Sequence, residues 1–157
     1  MATRTNTLLD ALVDTLEANL PALVTAEGLS AITEFISYDP GRSWKSFAPQ
    51  VWVDVVSDTT ENMAAGGLQD RTLEFLVGVT AKGDDAGAAA QVLRAHTDLI
   101  KKAVEQNPTL GGVLNLNQDD IEVGEAAYGD NEGAQTGGLL QESVRRVRIT
   151  VSETEGD

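Results

Sequence analysis

Cysteine is absent from this 157-residue chain, and histidine occurs only once. The lack of cysteine excludes disulfides, thiolate metal sites and thiol nucleophiles together. A nucleophile triad needs a base and a residue that orients this base. With His96 as the single histidine, no second such arrangement can be built on another histidine. We expect His96 to be a surface or boundary residue of a helix rather than a catalyst. These absences favour a protein that works by contact rather than by catalysis.

Long apolar runs and nucleotide-binding signatures are also missing. No stretch approaches the roughly 18 apolar residues that a membrane helix needs. Asp10 and Asp14 interrupt the first apolar segment, which is unlike a secretory signal. The chain has no Gly-Lys-Ser/Thr step and no dinucleotide-binding glycine spacing. We therefore predict no cofactor, and we expect synthesis in the cytoplasm.

Basic residues are few: 11 stand against 25 acidic residues, and the formal net charge is −14. Such a charge repels nucleic acid and anionic membranes, whose binding depends on Lys and Arg. It favours solubility, or a salt-loving host in which the repulsion is screened. The pairs Asp84-Asp85 and Asp119-Asp120 lack the ligand spacing of an EF-hand. We interpret them as a helix cap and a solvated turn, and we predict no metal site.

Two amphipathic segments predict helices. The first begins after a capping Thr5 or Asn6 and ends at Pro21. Its apolar stripe comprises Leu9, Leu12, Val13, Leu16 and Leu20. The second is capped by Asp84 or Asp85, which complement the positive end of the helix dipole. Its stripe comprises Ala89, Val92, Leu93, Leu99, Ile100, Ala103 and Val104.

The second helix runs into the segment VEQNPTLGGVLNL, which predicts a hinge between helix and strand. Pro108 cannot extend the hydrogen-bond ladder of a helix. Gly111 and Gly112 allow the chain to reverse tightly.

Five segments predict strands from their apolar content and alternation. The strongest are residues 51–57 (VWVDVVS), 71–80 (RTLEFLVGVT) and 143–153 (SVRRVRITVSE). Residues 113–116 (VLNL) and 121–128 (IEVGEAAY) are shorter candidates. The segment SAITEFISYDPGRSW alternates too imperfectly to predict a strand, and its Asp39-Pro40-Gly41 predicts a turn.

The connections between these strands are polar and rich in glycine. Residues 58–70 predict a long hairpin loop, residues 128–138 a flexible loop and residues 153–157 an acidic tail. The order of elements is helix, two strands, helix, three strands. It predicts a single α+β domain over residues 1–157, with one mixed or antiparallel sheet of four to five strands and both helices on one face.

The run VGVTAKGDDAGAAAQVLRAHTDLIKKAVEQNPTLGG (residues 77–112) is a strand followed by a helix that ends in a polar residue, a leucine and two glycines. Together with the strand VWVDVVSD and the first segment LLDALVDTLEANLPAL, this arrangement resembles the tail-terminator or tail-completion proteins of long-tailed phages. The resemblance covers most of the chain. The stretches SAITEFISYDPGRSWKSF and GEAAYGDNEGAQTGG fall outside it.

The resemblance implies a homo-hexameric ring that sits on the last ring of the tail tube. There the ring ends tube growth and presents the tail to the head connector or stopper. It implies a virion protein of the tail or neck, assembled in the host cytoplasm. DNA would only pass through the channel, and neither a membrane partner nor an active site is implied.

Three arginines near the C-terminal end, Arg145, Arg146 and Arg148, form a basic cluster with almost no aromatic residue nearby. Nucleic-acid stacking is therefore disfavoured. Because the arginine fork binds carboxylates bidentately, we predict contacts to a neighbouring subunit, with pairing inside the subunit equally open. The loop residues expected to contact partners are Met63, Leu68 and Tyr128.

Two alternatives stay open at this stage. One is a related neck protein, such as a head–tail adaptor or stopper. The other belongs to a different class: an acidic cytoplasmic binding or assembly module with a basic partner. A small enzyme is the weakest class, because the residues supply no recognisable chemistry. The mass in solution separates a ring from a monomeric module.

Overall fold

The computed structural model describes residues 3–29, 31–38, 49–62, 68–83, 86–130 and 139–154. The helices are α1 (Arg4–Ala26) and α2 (Ala86–Glu105). The strands are β1 (Glu34–Ile36), β2 (Gln50–Asn62), β3 (Leu68–Gly83), β4 (Asp120–Asp130) and β5 (Leu139–Thr154). Within these residues the strands form one sheet in the order β1-β2-β3-β5-β4. Strand β1 runs parallel to β2 and every other pair is antiparallel, so the predicted α+β fold with a single mixed sheet is confirmed.

Both helices cover the same face of the sheet, as predicted. Side chains alternate between the two faces of a strand, so every second residue of the central strands faces the helices. The core side of the sheet comprises Val51, Val53, Leu73, Phe75, Val77, Val79, Val147, Ile149 and Val151. The helices supply Leu8, Leu12, Leu16 and Leu20 from α1, and Leu93, Ile100, Ala103 and Val104 from α2.

Helix α1 is longer at both ends than the sequence pattern predicts. Its N-cap is Thr3, whose hydroxyl accepts a hydrogen bond of 3.2 Å from the backbone N–H of Asn6. The predicted stop at Pro21 is wrong, because the helix continues to Ala26. An interior proline costs a helix about 3 kcal/mol. Burial of Val24 and partial burial of Leu23 in the core offset that cost.

Two predictions about the strands need correction. Residues 113–116 form no strand; they belong to a run of turns in which the Leu114 N–H donates to the Thr109 carbonyl at 2.9 Å. Asp119 holds this run, because its carboxylate accepts from Asn115 N at 2.9 Å and from Ser152 N at 3.2 Å. Conversely, the imperfectly alternating segment contains β1, a three-residue strand whose pairing with β2 was not evident locally.

The hairpin of β2 and β3 is confirmed, but its loop is shorter than predicted. Residues 58–62 and 69–70 are paired in the ladder, from Asp58 opposite Leu73 to Asn62 opposite Gln69. Likewise, residues 128–130 belong to β4 and residues 153–154 to β5. The rest of the predicted loops and acidic tail, together with the turn at residues 39–41, lies outside the described residues.

The predicted hinge after α2 is a tight turn that leads into further turns rather than into a strand. Gly111 and Gly112 have φ values of 73° and 95°, and Leu110 also has a positive φ of 49°. A non-glycine residue accepts that conformation at a cost in strain. The side chain of Leu110 is only 2% exposed, and this burial in the core offsets the cost of the strained backbone.

On the opposite face of the sheet, the large side chain of Trp52 on β2 is buried. It lies opposite Gly78 in the β2–β3 register. The indole Nε1–H donates to the Thr80 hydroxyl at 3.2 Å. A Cβ atom at Gly78 would overlap the Trp52 ring, so this strand position requires glycine.

Candidate interaction surfaces

His96 lies where the sequence did not predict it. The side chain is fully buried, which corrects the expectation of a surface or boundary position. The reason is helical spacing: position 96 is three residues after Leu93 and four before Ile100, so it shares the core-facing side of α2. Among the described residues, no group of three or more His, Asp or Glu side chains is arranged to hold a metal ion.

Thr97 and Ser143 form a small buried polar contact between α2 and β5. The two hydroxyls are hydrogen-bonded to each other, and the Leu93 carbonyl lies 2.8 Å from the Thr97 hydroxyl and 3.3 Å from the Ser143 hydroxyl. Because each hydroxyl has one proton, Thr97 donates to Leu93 and Ser143 donates to Thr97. With those partners satisfied, the hydroxyls join the helix to the sheet. We assign this contact a structural role.

Arg145 differs from the other two arginines because it faces the helices and is only 8% exposed. Its Nη1 donates to the Gly124 carbonyl at 3.1 Å, and its Nη2 lies 3.4 Å from Asp98 Oδ1. Gly124 lies in an irregularity of β4 between Val123 and Ala126. Arg145 therefore joins α2 to β4 within one subunit. Its burial disfavours the predicted contact to a neighbouring subunit.

Arg146 and Arg148 point to the sheet face away from the helices and share one carboxylate, that of Glu74. Arg148 Nη2 is 2.8 Å from Glu74 Oε1, and Arg146 Nη1 is 3.2 Å from Oε2. The hydrogen bond from Arg148 lowers the pKa of Glu74, and the same contact raises the pKa of Arg148. This pairing inside the subunit is one of the two possibilities that the sequence left open. Contact with a neighbouring subunit stays a prediction.

Glu74 is the residue at this cluster that sequence reasoning did not single out. The alternation of the strand could have pointed to Glu74, because it is a charged residue between the apolar Leu73 and Phe75 and therefore lies on the outward side of β3. A depression of about 320 Å³ beside the cluster is lined by Glu74, Glu122, Gly124, Glu125, Arg146, Val147 and Arg148. Because three carboxylates there outnumber two guanidinium groups, the depression does not suit an anionic ligand.

The predicted partner-contact residues are distributed over two hairpins. Leu68 opens β3 opposite Thr154 of β5, and Tyr128 lies in β4 opposite Ser143. Met63 lies outside the described residues. The strands thus do not bring Leu68 and Tyr128 to one place, since they pair with opposite ends of β5.

An open groove of about 490 Å³ separates α1 from the hinge that follows α2. Its α1 wall is Thr7, Asp10, Ala11, Asp14, Thr15, Ala18 and Asn19, and the hinge contributes Asn107, Leu110, Gly111 and Val113. The α1 residues recur at intervals of three and four, which places them on one side of the helix.

The exposed face of α2 carries most of the basic side chains that the helices expose. Arg94, Lys101 and Lys102 are exposed there, and Lys101 pairs with Glu105 at 3.2 Å. By contrast, α1 exposes Asp10, Asp14 and Glu17 and has only Arg4 as a basic residue. The two helices therefore present surfaces of opposite charge.

Comparison with known proteins identifies no relative: neither the protein-family models nor the curated proteins include a match to this chain. No helix in the described part of the chain is both long enough and apolar enough to cross a membrane.

Proposed function

We propose that this chain is a structural virion protein, the tail terminator of a long-tailed phage. In this role, copies of the chain form a ring, a hexamer in the family it resembles. The ring caps the tail tube and joins it to the head connector. The protein has no catalytic role and needs no cofactor.

The observation that carries the proposal is the order and placement of elements that the resemblance rests on. Helix α1, the β2–β3 hairpin, helix α2 and the turn at Leu110–Gly112 follow one another, and both helices cover one sheet face. Neither α1 nor α2 covers the other face, which carries the exposed Arg146 and Arg148. A subunit of this shape offers two different broad surfaces, which suits a ring stacked between two other rings.

The charge of −14 is compatible with this role. A ring whose channel is lined by carboxylates repels the phosphate backbone, so DNA passes through without adhering. A neutral or basic channel in a structure of the assembled ring would contradict this part of the proposal.

The direct test is assembly on tail tubes. Purified chain is added to tubes assembled from a tail tube protein of a long-tailed phage, and bound mass and tube length are followed by electron microscopy and sedimentation. We expect a ring at the tube end and an arrest of tube growth. A chain that leaves tube length unchanged and does not sediment with tubes would refute the role.

Charge reversal tests whether Arg146 and Arg148 take part. Arg146→Glu or Arg148→Glu should weaken assembly while the subunit keeps its far-ultraviolet circular dichroism. Arg4→Glu is the matched control, since Arg4 lies in α1 and its ion pair is with Asp119 at 3.9 Å rather than with Glu74. Unchanged assembly in all three variants would mean that Arg146 and Arg148 pair with Glu74 inside the subunit and do not contribute to assembly.

A further inference from the structure

The two helices lie side by side but over different parts of the sheet. Helix α1 packs on β1 and β2, whereas α2 packs on β3, β5 and β4. Because the strand order is β1-β2-β3-β5-β4, the helices occupy opposite lateral halves of the subunit. In the proposed ring, copies that stood side by side along the direction of the strand order would bring the α2 half of one copy to the α1 half of the next.

The exposed surface of α1 is acidic and uncompensated. Asp10, Asp14 and Glu17 are exposed, and none of them makes an ion pair with another described residue. Asp10 and Asp14 are spaced i,i+4, where like charges repel and destabilise a helix. An isolated subunit gains nothing from this arrangement, whereas a cationic neighbour would relieve it.

The exposed surface of α2 has the opposite sign. Arg94 and Lys102 make no ion pair with a described residue, and Lys101 has only Glu105 beside it. Asp98, the other acid on this surface, is neutralised by the buried Arg145 at 3.4 Å. The surface of α2 thus keeps a surplus of positive charge in a chain of net charge −14.

The two charged runs also match in length. Asp10 and Glu17 are seven residues apart, as are Arg94 and Lys101. At a rise of 1.5 Å per residue, each run spans about 10 Å along its helix axis. Two helices laid against each other can therefore bring both ends of the acidic run to the ends of the basic run.

We propose that a second copy of this chain is the partner of these surfaces, with α2 of one copy docked against α1 of the next. The contact is heterologous, since two different surfaces meet, and repeated head to tail it generates a ring when the rotation closes. This inference rests on the proposed ring and identifies the surfaces that build it.

Charge exchange tests the proposal with three variants of the full chain. The first reverses the acidic run (Asp10→Lys with Glu17→Lys), the second reverses the basic run (Arg94→Glu with Lys101→Glu), and the third combines all four changes. Assembly is measured by native mass spectrometry and light scattering over a concentration series. Circular dichroism and melting temperature establish that each variant is folded.

Each of the first two variants places like charges across the contact, so we expect its half-assembly concentration to rise about tenfold or more. The combined variant restores opposite charges and should assemble within about threefold of the original chain. An equimolar mixture of the first two variants should recover as well, because each supplies the surface that the other lacks. If neither the combined variant nor the mixture recovers, the proposal is overturned.

Absence of cysteine allows a second, geometric readout. In an antiparallel contact, in which Glu17 faces Arg94, Ala18→Cys on α1 lies near Gln91→Cys on α2, and both positions are exposed. In a parallel contact, in which Glu17 faces Lys101, the exposed Lys102→Cys takes the place of Gln91→Cys. Mixing the Ala18→Cys chain with each α2 partner under oxidising conditions should give cross-linked dimers in one of the two arrangements. Ser152→Cys, exposed on the helix-free sheet face, replaces either partner as the control and should give none.

The outcomes separate this inference from the proposed function. If the charge-reversal variants form rings as the original chain does, and no α1–α2 cross-link appears, the contact is overturned and the terminator role stays intact. A chain that stays monomeric both alone and on tail tubes would overturn both.

Discussion

Gly78→Ala is the substitution for which the structure makes the sharpest stability prediction. The added methyl group would occupy the space of the Trp52 indole, which lies across Gly78 on the helix-free face. Gly78 lies in β3, which is paired with β2 on one side and β5 on the other, so its backbone has little freedom to move. The indole has to rotate away instead.

Three contributions set the magnitude. Overpacking a filled site costs about 1–3 kcal/mol. Loss of the hydrogen bond from Trp52 Nε1 to the Thr80 hydroxyl, 3.2 Å long, adds about 1 kcal/mol. Replacing glycine inside a strand recovers about 0.5–1 kcal/mol of backbone entropy. The steric cost dominates, and we expect a net loss of about 1–3 kcal/mol.

Urea unfolding followed by tryptophan fluorescence and circular dichroism measures this loss. For a domain of this size, each 1 kcal/mol lowers the melting temperature by about 2–4 °C. Gly124→Ala is the control, because a Cβ atom there would meet Arg146 Cβ at 3.5 Å, an ordinary contact. We expect that variant to lose less than about 1 kcal/mol.

The double variant Trp52→Val with Gly78→Ala gives the internal check. Once the indole is absent, the methyl group has room, so the two costs should not add. If Gly78→Ala costs no more than Gly124→Ala, or if its cost is simply additive with Trp52→Val, the packing of Trp52 over Gly78 is refuted.

Three further predictions concern single residues. Leu93→Ala should lower the free energy of unfolding in urea by about 2–5 kcal/mol, because Leu93 faces the sheet in the core. A loss below about 1 kcal/mol would mean that this side of α2 is exposed to a partner instead. The hydrogen bond from Arg148 lowers the pKa of Glu74, and the hydrogen bond from Arg71, 2.7 Å from Asp58 Oδ2, lowers the pKa of Asp58. The stability that these two carboxylates contribute is present above the ordinary carboxyl pKa and is lost as pH falls through the lowered values. Glu74→Gln and Asp58→Asn should therefore flatten the loss of stability from pH 5 to 3, and an unchanged slope would contradict this. Pro21→Ala should raise the melting temperature, with a gain of up to about 3 kcal/mol, because it restores a backbone donor inside α1; a lower melting temperature would show that α1 depends on the proline.

The periodicity of the sequence by itself determined the main elements and their faces. Val147, Ile149 and Val151 alternate with Arg146 and Arg148, and the structure separates the two sets as predicted. The spacing of Leu93, Ile100 and Val104 likewise predicts the buried side of α2 correctly. Such patterns succeed because burial repeats every two residues in a strand and every 3.6 residues in a helix. The acidic and basic faces of the helices follow from the same rule.

Only the tertiary structure decided where packing and strand pairing override the local preference of a segment for helix, strand or turn. Pro21 should end a helix, but core burial of residues beyond it carries α1 on to Ala26. Residues 113–116 have strand composition, yet no neighbouring strand pairs with them, and Asp119 holds the following turn against β5. Strand β1 is too short to be recognised alone and exists through its pairing with β2.

The candidate surfaces divide in the same way. That Arg146 and Arg148 lie exposed on one side of a strand follows from alternation, but their carboxylate partner, Glu74, is more than 70 residues away in the chain. Arg145 is buried because β4, β5 and α2 meet around it. His96 is buried because its helical spacing places it on the inward side of α2. A side chain's position on its own element is a local property. Its neighbours depend on strand order and register, which bring distant parts of the chain together.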